Sequence, residues 1–507
     1  MSQALRFLAA DLGAESGRVM SGRFDGERLS LAEAHRFDSR PVRLPDGLHT
    51  SVLHIFSQIE AGLAAAAAEG GELESLAVDT WGVDFALLDA QGALLGNPHH
   101  YRDDLCAGML EEALRTVSRE EIFEATGIQL MPINTLYQLL GLKRRGAVAL
   151  DAAHTLLMMS DLFNYWLCGR RCGELPIATT SQCFDPRRRE WAVELLEKLG
   201  LPTRIFPDVI DPGEVIGSLL PHVAEDAGLP RLPVVAAGGH DTALAVAAVP
   251  ASAPGFAYLS SGTWSLLGTE LDAPGIDSRS LAANFTNEGG VVRTIRFLKN
   301  LCGLWLVQEC RRRWARDGRP DSYAELTGMA GAAPPWRSLV DVDDPEFASP
   351  GDLPARIQAW CARTGQPVPE SKGEIVRCAL DSLALRYRSV LDEMEGILGR
   401  RLDPLHIVGG GAKNALLCQL AADATSRAVV AGPAEATAAG SVLMQAMALG
   451  HVASLDDARA VVRRSFEIRT YEPRPDPAID EAHTRLRHVI GLSSLQPCTA
   501  EVGHERS

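Results

Sequence analysis

Lysine is scarce in this sequence: there are five among 507 residues, and none follows a glycine. The phosphate loop GxxxxGK(S/T) needs a lysine directly after glycine, so a P-loop nucleotide enzyme is excluded. HExxH and GxSxG are also missing, which removes the usual zinc-protease and nucleophile-elbow chemistries. The ten cysteines show no repeating CxxC spacing, so neither a structural zinc site nor a secreted disulfide scaffold fits. Cys361 and Cys378 can meet across two helices, and the plain reading is a pair of buried thiols. The most apolar stretch, residues 234–249, is broken by Gly238, Gly239, His240 and Asp241, so no membrane span is read. Residues 1–8 lack the charged-then-apolar build of a secretory signal, and a cytoplasmic location is expected. Positive charge is short as well: 49 basic against 65 acidic residues leave a net charge of −16. With no basic stripe, nucleic acid and anionic membrane are not expected partners.

Apolar residues, in contrast, are plentiful at 46%, with 22% charged, enough for large cores in a water-soluble globular chain. A length of 507 residues implies more than one domain. The opening predicts strands at residues 6–10, 18–24 and 29–37, then an Ala-rich helix over 52–69 stopped by Gly70-Gly71. Short apolar strands follow at 75–80 and 83–88, and residues 111–199 read as mainly helical. The second half repeats the opening theme, with a strand at 256–259, the small-residue turn Ser260-Ser261-Gly262-Thr263, and a returning strand at 264–269. Helices are expected at 298–315 and 374–398, then a strand at 405–408 entering Gly409-Gly410-Gly411, a helix at 415–424, a strand at 428–430 and a helix at 434–449. Two halves with a similar start suggest two related α/β domains facing a cleft, divided near residues 249–255.

Several segments can carry chemistry. In Asp11-Leu12-Gly13-Ala14-Glu15-Ser16-Gly17, small residues leave backbone amides open to an anion, and Asp11 at the strand end calls for Mg²⁺ beside a phosphate. A plain hairpin turn explains the same letters. Ser260 to Thr263 offers hydroxyls in the matching place. Gly238-Gly239-His240-Asp241-Thr242 stands between an apolar strand and a helix, where a carboxylate serves either as an N-cap or as a general base. The two glycines there suggest a ligand lying against bare backbone. Gly82, inside Asp79-Thr80-Trp81-Gly82-Val83-Asp84, interrupts a strand pattern as a bulge or a ligand contact would. Asn300 is placed at the head of an amphipathic helix. Gly409-Gly410-Gly411-Ala412-Lys413-Asn414 lacks the third glycine of GxGxxG and comes late in the chain, which disfavours a Rossmann dehydrogenase.

Taken together these segments resemble the FGGY carbohydrate kinases. The likeness runs in order through Asp11 to Met20, Asp79 to Phe85, Tyr101-Arg102-Asp103, Asn134 to Gln138, His240 to Ala243, Tyr258 to Leu266, Leu281 to Asn284, Thr286 to Gly290, Gly303 to Leu306 and Leu405 to Gly411. The resemblance implies an α/β fold of two actin-like (ribonuclease H-like) domains around a central cleft for ATP and sugar. Residues 1–249 would bind sugar and phosphate, 250–490 the nucleotide, and 491–507 would form a flexible tail. The implied activity is ATP-dependent phosphorylation of a ketose at its 1-hydroxyl, with L-rhamnulose favoured by residues 79–85 and 258–264 and another ketose or polyol of the family as the alternative. ATP and Mg²⁺ are the implied cosubstrate and cofactor, and a monomer or weak homo-oligomer is expected. By position, Asp241 matches the catalytic base, and Gly82, His240, Thr242 and Asn300 match sugar contacts. Gly13, Ala14, Glu15, Ser16, Gly17, Thr263, Gln308 and Gly410 match nucleotide contacts, and Asp11 matches the carboxylate that helps hold Mg²⁺.

The sequence departs from the family pattern in three places. Glu15 replaces a common serine and is expected to point outward. Ser160 replaces proline in Met159-Ser160-Asp161, where a loop of different shape is expected. Gly440-Ser441 stands where Gly-Asn is common near the adenine pocket. A readout outside sugar phosphorylation, an actin-like ATP-binding scaffold, stays open at this point; sugar-independent ATP hydrolysis would support it.

Overall fold

The computed structural model describes residues 4–493; of the expected tail over 491–507, residues 494–507 lie outside the described residues. Two mixed sheets dominate. The first contains β1 (Leu5–Leu12), β2 (Ser16–Phe24), β3 (Leu29–Asp38), β4 (Ser75–Thr80), β5 (Glu214–Ser218) and β6 (Pro233–Ala236). Their spatial order is β5-β6-β4-β1-β2-β3. The second contains β7 (Ala257–Ser261), β8 (Trp264–Leu271), β9 (Thr286–Gly289), β10 (Ile295–Cys302), β11 (Leu405–Val408), β12 (Val429–Ala431) and β13 (Arg469–Tyr471), in the order β9-β10-β8-β7-β11-β12-β13.

Both sheets grow by the same rule. β1 pairs antiparallel with β2 and parallel with β4; β7 pairs antiparallel with β8 and parallel with β11. Each then adds one parallel strand and one antiparallel edge strand. β1 and β4 are covered on both faces, which is why Leu-Ala-Ala and Leu-Ala-Val read as unbroken apolar runs. The seam between the sheets is filled by two helices, α2 (Asp241–Ala247) and α5 (Ala436–Ala448), with α1 (Val52–Ala68) outside the first sheet and α3 (Trp305–Arg316) and α4 (Lys372–Leu398) on the second. At the α2–α5 crossing, a Cβ on Gly440 would lie 2.0 Å from the Leu244 carbonyl oxygen, so the two backbones touch through a glycine. Helix α5 belongs by sequence to the second half but packs on β1 and β4 of the first sheet.

The structure corrects several local expectations. Residues 295–302 form a strand, and α3 begins only at Trp305. Ser160 sits in the first turn of the helix Met159–Cys168, a position that also accepts proline, so no loop is reshaped there. The last helix, Ala478–Ser493, runs past residue 491. Cys361 and Cys378 do meet across two helices as buried free thiols.

Candidate active site

A cavity of about 460 Å³ opens between the two sheets. Gly13, Ala14, Glu15, Ser16, Gly82, His240, Asp241, Thr242, Thr263, Asn300 and Gln308 all line it. Asp11, Gly17 and Gly410 do not. Gly17 is required by packing, because a Cβ there would lie 2.3 Å from the Phe37 ring. Gly410 opens the turn Gly410–Lys413 beyond β11, with open space on its Cβ side.

The strand ends of the first sheet gather acids. Asp11 of β1 stands in register with Asp79 of β4, and Asp241 opens α2. Asp79 is fully buried and neither carboxylate oxygen has a hydrogen-bond partner. Burial, then the charges of Asp11 and Asp241, raise its pKa well above the carboxylate range. Arg18 is the nearby counter-charge, ion-paired with Asp11 and, at 2.6 Å, with Glu435.

Asp241 is set by the turn before it. Gly238 and Gly239 have φ of +150° and +62°, a conformation that favours glycine. Glu174 accepts a 2.7 Å hydrogen bond from the Gly238 amide, and a Cβ on Gly239 would lie 2.7 Å from Ser160 Oγ. These glycines therefore serve backbone shape and close packing, and the expected bare surface for a ligand is absent at them. About a third of the Asp241 side chain stays open to the cavity. Burial of the rest, then the Asp11 charge, pushes its pKa up to about 7. Its Oδ1 accepts from the Thr242 amide at 2.5 Å and the Thr242 hydroxyl at 3.1 Å, and lies 3.3 Å from His240 Nε2. Among the described residues no donor reaches Oδ2.

Across the cavity, the loop 260–263 is tied to the start of α3: the Leu304 amide donates to the Gly262 carbonyl at 3.0 Å and Trp305 to Thr263 at 3.2 Å. Thr263 Oγ1 donates to Gln308 Oε1 at 3.2 Å. On the first half, Gly13 donates to the Ser16 carbonyl at 3.0 Å, closing a tight hairpin. Glu15 is turned into the cavity rather than outward, where it ion-pairs with Arg312 of α3 and, at 3.6 Å, with Arg102. The two guanidiniums, held over the Trp305 ring and lining the cavity, draw the carboxylate inward.

Several site residues carry no local sequence signal. Val83 lines the cavity with φ of +69°, a strained conformation for a β-branched residue. Thr180, Thr135 and Gln138 hold its backbone through hydrogen bonds of 3.1, 2.6 and 3.1 Å. Asn300 projects from β10, not a helix head, and Gln129 of the first half grips its amide at 2.9 Å and its side chain at 3.2 Å. Gly440 and Ser441 do not line the cavity; Ser441 is fully buried in the seam.

Comparison with known proteins agrees with this geometry. Residues 49–248 match the N-terminal domain model of the FGGY family of carbohydrate kinases, and residues 257–449 match its C-terminal domain model. The chain is 44% identical to a rhamnulokinase of Bacteroides thetaiotaomicron over 96% of its length and 99% of that protein's. It is 38% identical to a rhamnulokinase of Oceanobacillus iheyensis, covering 92% of this chain and 97% of that one. The crystal structure of gluconate kinase from Lactobacillus acidophilus superposes with a TM-score of 0.78 at 15% identity, covering 97% of both chains, a likeness of fold.

Proposed function

Because the chain belongs to the FGGY family of carbohydrate kinases, we propose that it transfers the γ-phosphoryl group of ATP to the 1-hydroxyl of L-rhamnulose, giving L-rhamnulose 1-phosphate and ADP in L-rhamnose breakdown. One observation carries the chemical reading: Asp241 stands in the inter-sheet cavity with Oδ1 saturated, Oδ2 free and its pKa raised to about 7. A base with that pKa takes a proton near neutral pH and can release it afterwards.

The ketose lies against Gly82, His240, Thr242 and Asn300. ATP presents its phosphates to residues 13–16, Thr263 and Gln308, which line the cavity, while Gly17 and Gly410 lie outside it and shape the two turns. The 1-oxygen of the sugar attacks the γ-phosphorus, and the bond to the β,γ-bridging oxygen breaks. ADP leaves with that electron pair, while the hydroxyl proton passes to Asp241 Oδ2. Closing the two halves over the substrates excludes water, the competing acceptor. The acid cluster fits a divalent cation: Asp79 has two unpartnered buried oxygens beside Asp11, with Arg18 as partial compensation. Among the described residues no three His, Cys, Asp or Glu side chains converge on one point, so Asp11 would hold Mg²⁺ largely through water and phosphate. Bound there, Mg²⁺ would neutralise phosphate charge. No described helix is long and apolar enough to cross a membrane; we place the enzyme in the cytoplasm with its ATP, as a monomer or weak homo-oligomer, with residues 1–249 and 250–490 as its two domains.

The test is ADP release measured on L-rhamnulose, L-fuculose, L-xylulose and glycerol. The highest kcat/KM is expected on L-rhamnulose. A higher value on another acceptor would move the substrate assignment, and ADP formed without any sugar phosphate would end the kinase reading.

A further inference from the structure

We propose that Arg296, delivered from the second sheet, is a positioning residue that keeps the hydrogen of His240 on Nε2, so that this N–H faces Oδ1 of Asp241 and Oδ2 is the oxygen that takes the substrate proton. Arg296 and Glu288 face each other across β9 and β10 and form a buried ion pair at 3.0 Å. Arg296 Nε also donates to the Gly289 carbonyl at 2.9 Å, which fixes the plane of the guanidinium. Its Nη2 lies 2.9 Å from His240 Nδ1. A guanidinium has hydrogens to give and no lone pair to receive one, so Nδ1 must accept. The buried imidazole is held neutral by burial and by Arg296, and its single hydrogen therefore sits on Nε2. That nitrogen lies 3.3 Å from Asp241 Oδ1.

With the hydrogen on Nδ1 instead, a bare lone pair would face the carboxylate and push Oδ1 away. The rival partner for an Nδ1 hydrogen is Glu288 Oε2, 3.7 Å off and beyond hydrogen-bond reach. The two Thr242 hydrogen bonds hold Oδ1, and an Nε2–H facing it at 3.3 Å adds an electrostatic attraction on the same oxygen, so Oδ2 is the one left for chemistry. Because Arg296 stands on the second sheet and Asp241 on the first half, the base is equipped only where both halves meet. This inference rests on Asp241 being the base, yet its first readout does not.

The test is a long-range ¹H–¹⁵N spectrum of the enzyme labelled with ¹⁵N-histidine, His240 being assigned by its loss in His240→Gln. The expected result is a protonated Nε2 and an unprotonated Nδ1; a protonated Nδ1 overturns the proposal whatever the activity. In Arg296→Met the preference for Nε2–H should disappear, with kcat down about 10- to 100-fold and KM for the sugar within about threefold. Unchanged tautomer and kcat in that variant would also overturn it. Should Arg296→Met fail to fold, Glu288→Gln, which keeps Arg296 on Nδ1, must retain Nε2–H, and a switch to Nδ1–H there refutes the assignment. Turnover surviving Asp241→Asn with the tautomer as expected would instead strike the kinase mechanism alone.

Discussion

The two sheets share their strand rule and differ at corresponding strand ends. Near the ends of β1, β4 and β6 the first half carries Asp11, Asp79 and the turn leading to Asp241. At the ends of β7, β11 and β12 the second half carries Ser261, Gly409 and Gly432. One frame thus carries acids near three strand ends of the first half, which the proposed mechanism uses for a proton and a cation, and small uncharged residues at three strand ends of the second. The difference lies in side chains at equivalent places, not in topology. If it is functional, moving chemistry from one half to the other should damage a defined substrate term.

The largest break comes at the acids of the first half. Asp241→Asn is expected to lower kcat by about 10³- to 10⁴-fold with the fold intact, since it removes the proton acceptor and keeps the shape. Steady-state turnover and circular dichroism check this, and near-normal turnover sinks the assignment. In the parent enzyme, log kcat/KM should rise with unit slope below a pKa near 7 and level above it, because the base must be ionised. The stability sign is opposite: a carboxyl whose pKa is raised on folding binds more protons in the native state, so stability falls as pH rises from about 4 towards 7. Asp241→Asn should therefore unfold at the same or higher temperature than the parent at pH 8.

Next in size is a transfer of charge onto the loop 260–263. Thr263→Asp places a carboxylate in that loop, which itself carries none. The KM for ATP should rise at least about tenfold, roughly 1.4 kcal/mol, while the sugar's KM stays within about twofold. Equal effects on both substrates would show that the two halves do not divide the work.

Much of this division could be read in the letters. The two strand–turn–strand units, the Asp79 to Asp84 segment and the Gly238 to Thr242 turn are local patterns, and local patterns survive without a fold. What failed was non-local. Residues 298–302 were expected to begin a helix over 298–315. The structure shows a strand sandwiched between β8 and β9, buried on both faces and so without a period of two. Arg296 lies in that strand, 56 residues from the histidine it contacts, and nothing nearby in sequence announces the pairing. The strained φ of Val83 is likewise held by hydrogen bonds with three distant residues, its amide donating to Thr180 and its carbonyl accepting from Thr135 and Gln138. Glu15 was legible as a departure, but its direction depends on Arg312, which reaches it from the other half.

The smallest effect belongs to Glu15, an acid of the first half that pairs across the cavity with the second. Its carboxylate pairs with Arg312 and Arg102, which line the same cavity, and all three side chains remain a quarter to a third or more exposed. Such pairs contribute about 0–1 kcal/mol each, so losing them should scarcely alter stability. In the proposed pose, however, the phosphates of ATP meet this negative charge beside the 13–16 hairpin, and the two guanidiniums that Glu15 neutralises line the same cavity. Glu15→Ser is therefore expected to lower the KM for ATP by about two- to fivefold at low ionic strength, with kcat nearly unchanged. The gain should shrink as salt screens the exposed charges. A KM that rises instead would mean that the carboxylate orders the hairpin for the nucleotide, and the working acids of the first half would then include one residue more than the comparison of strand ends allows.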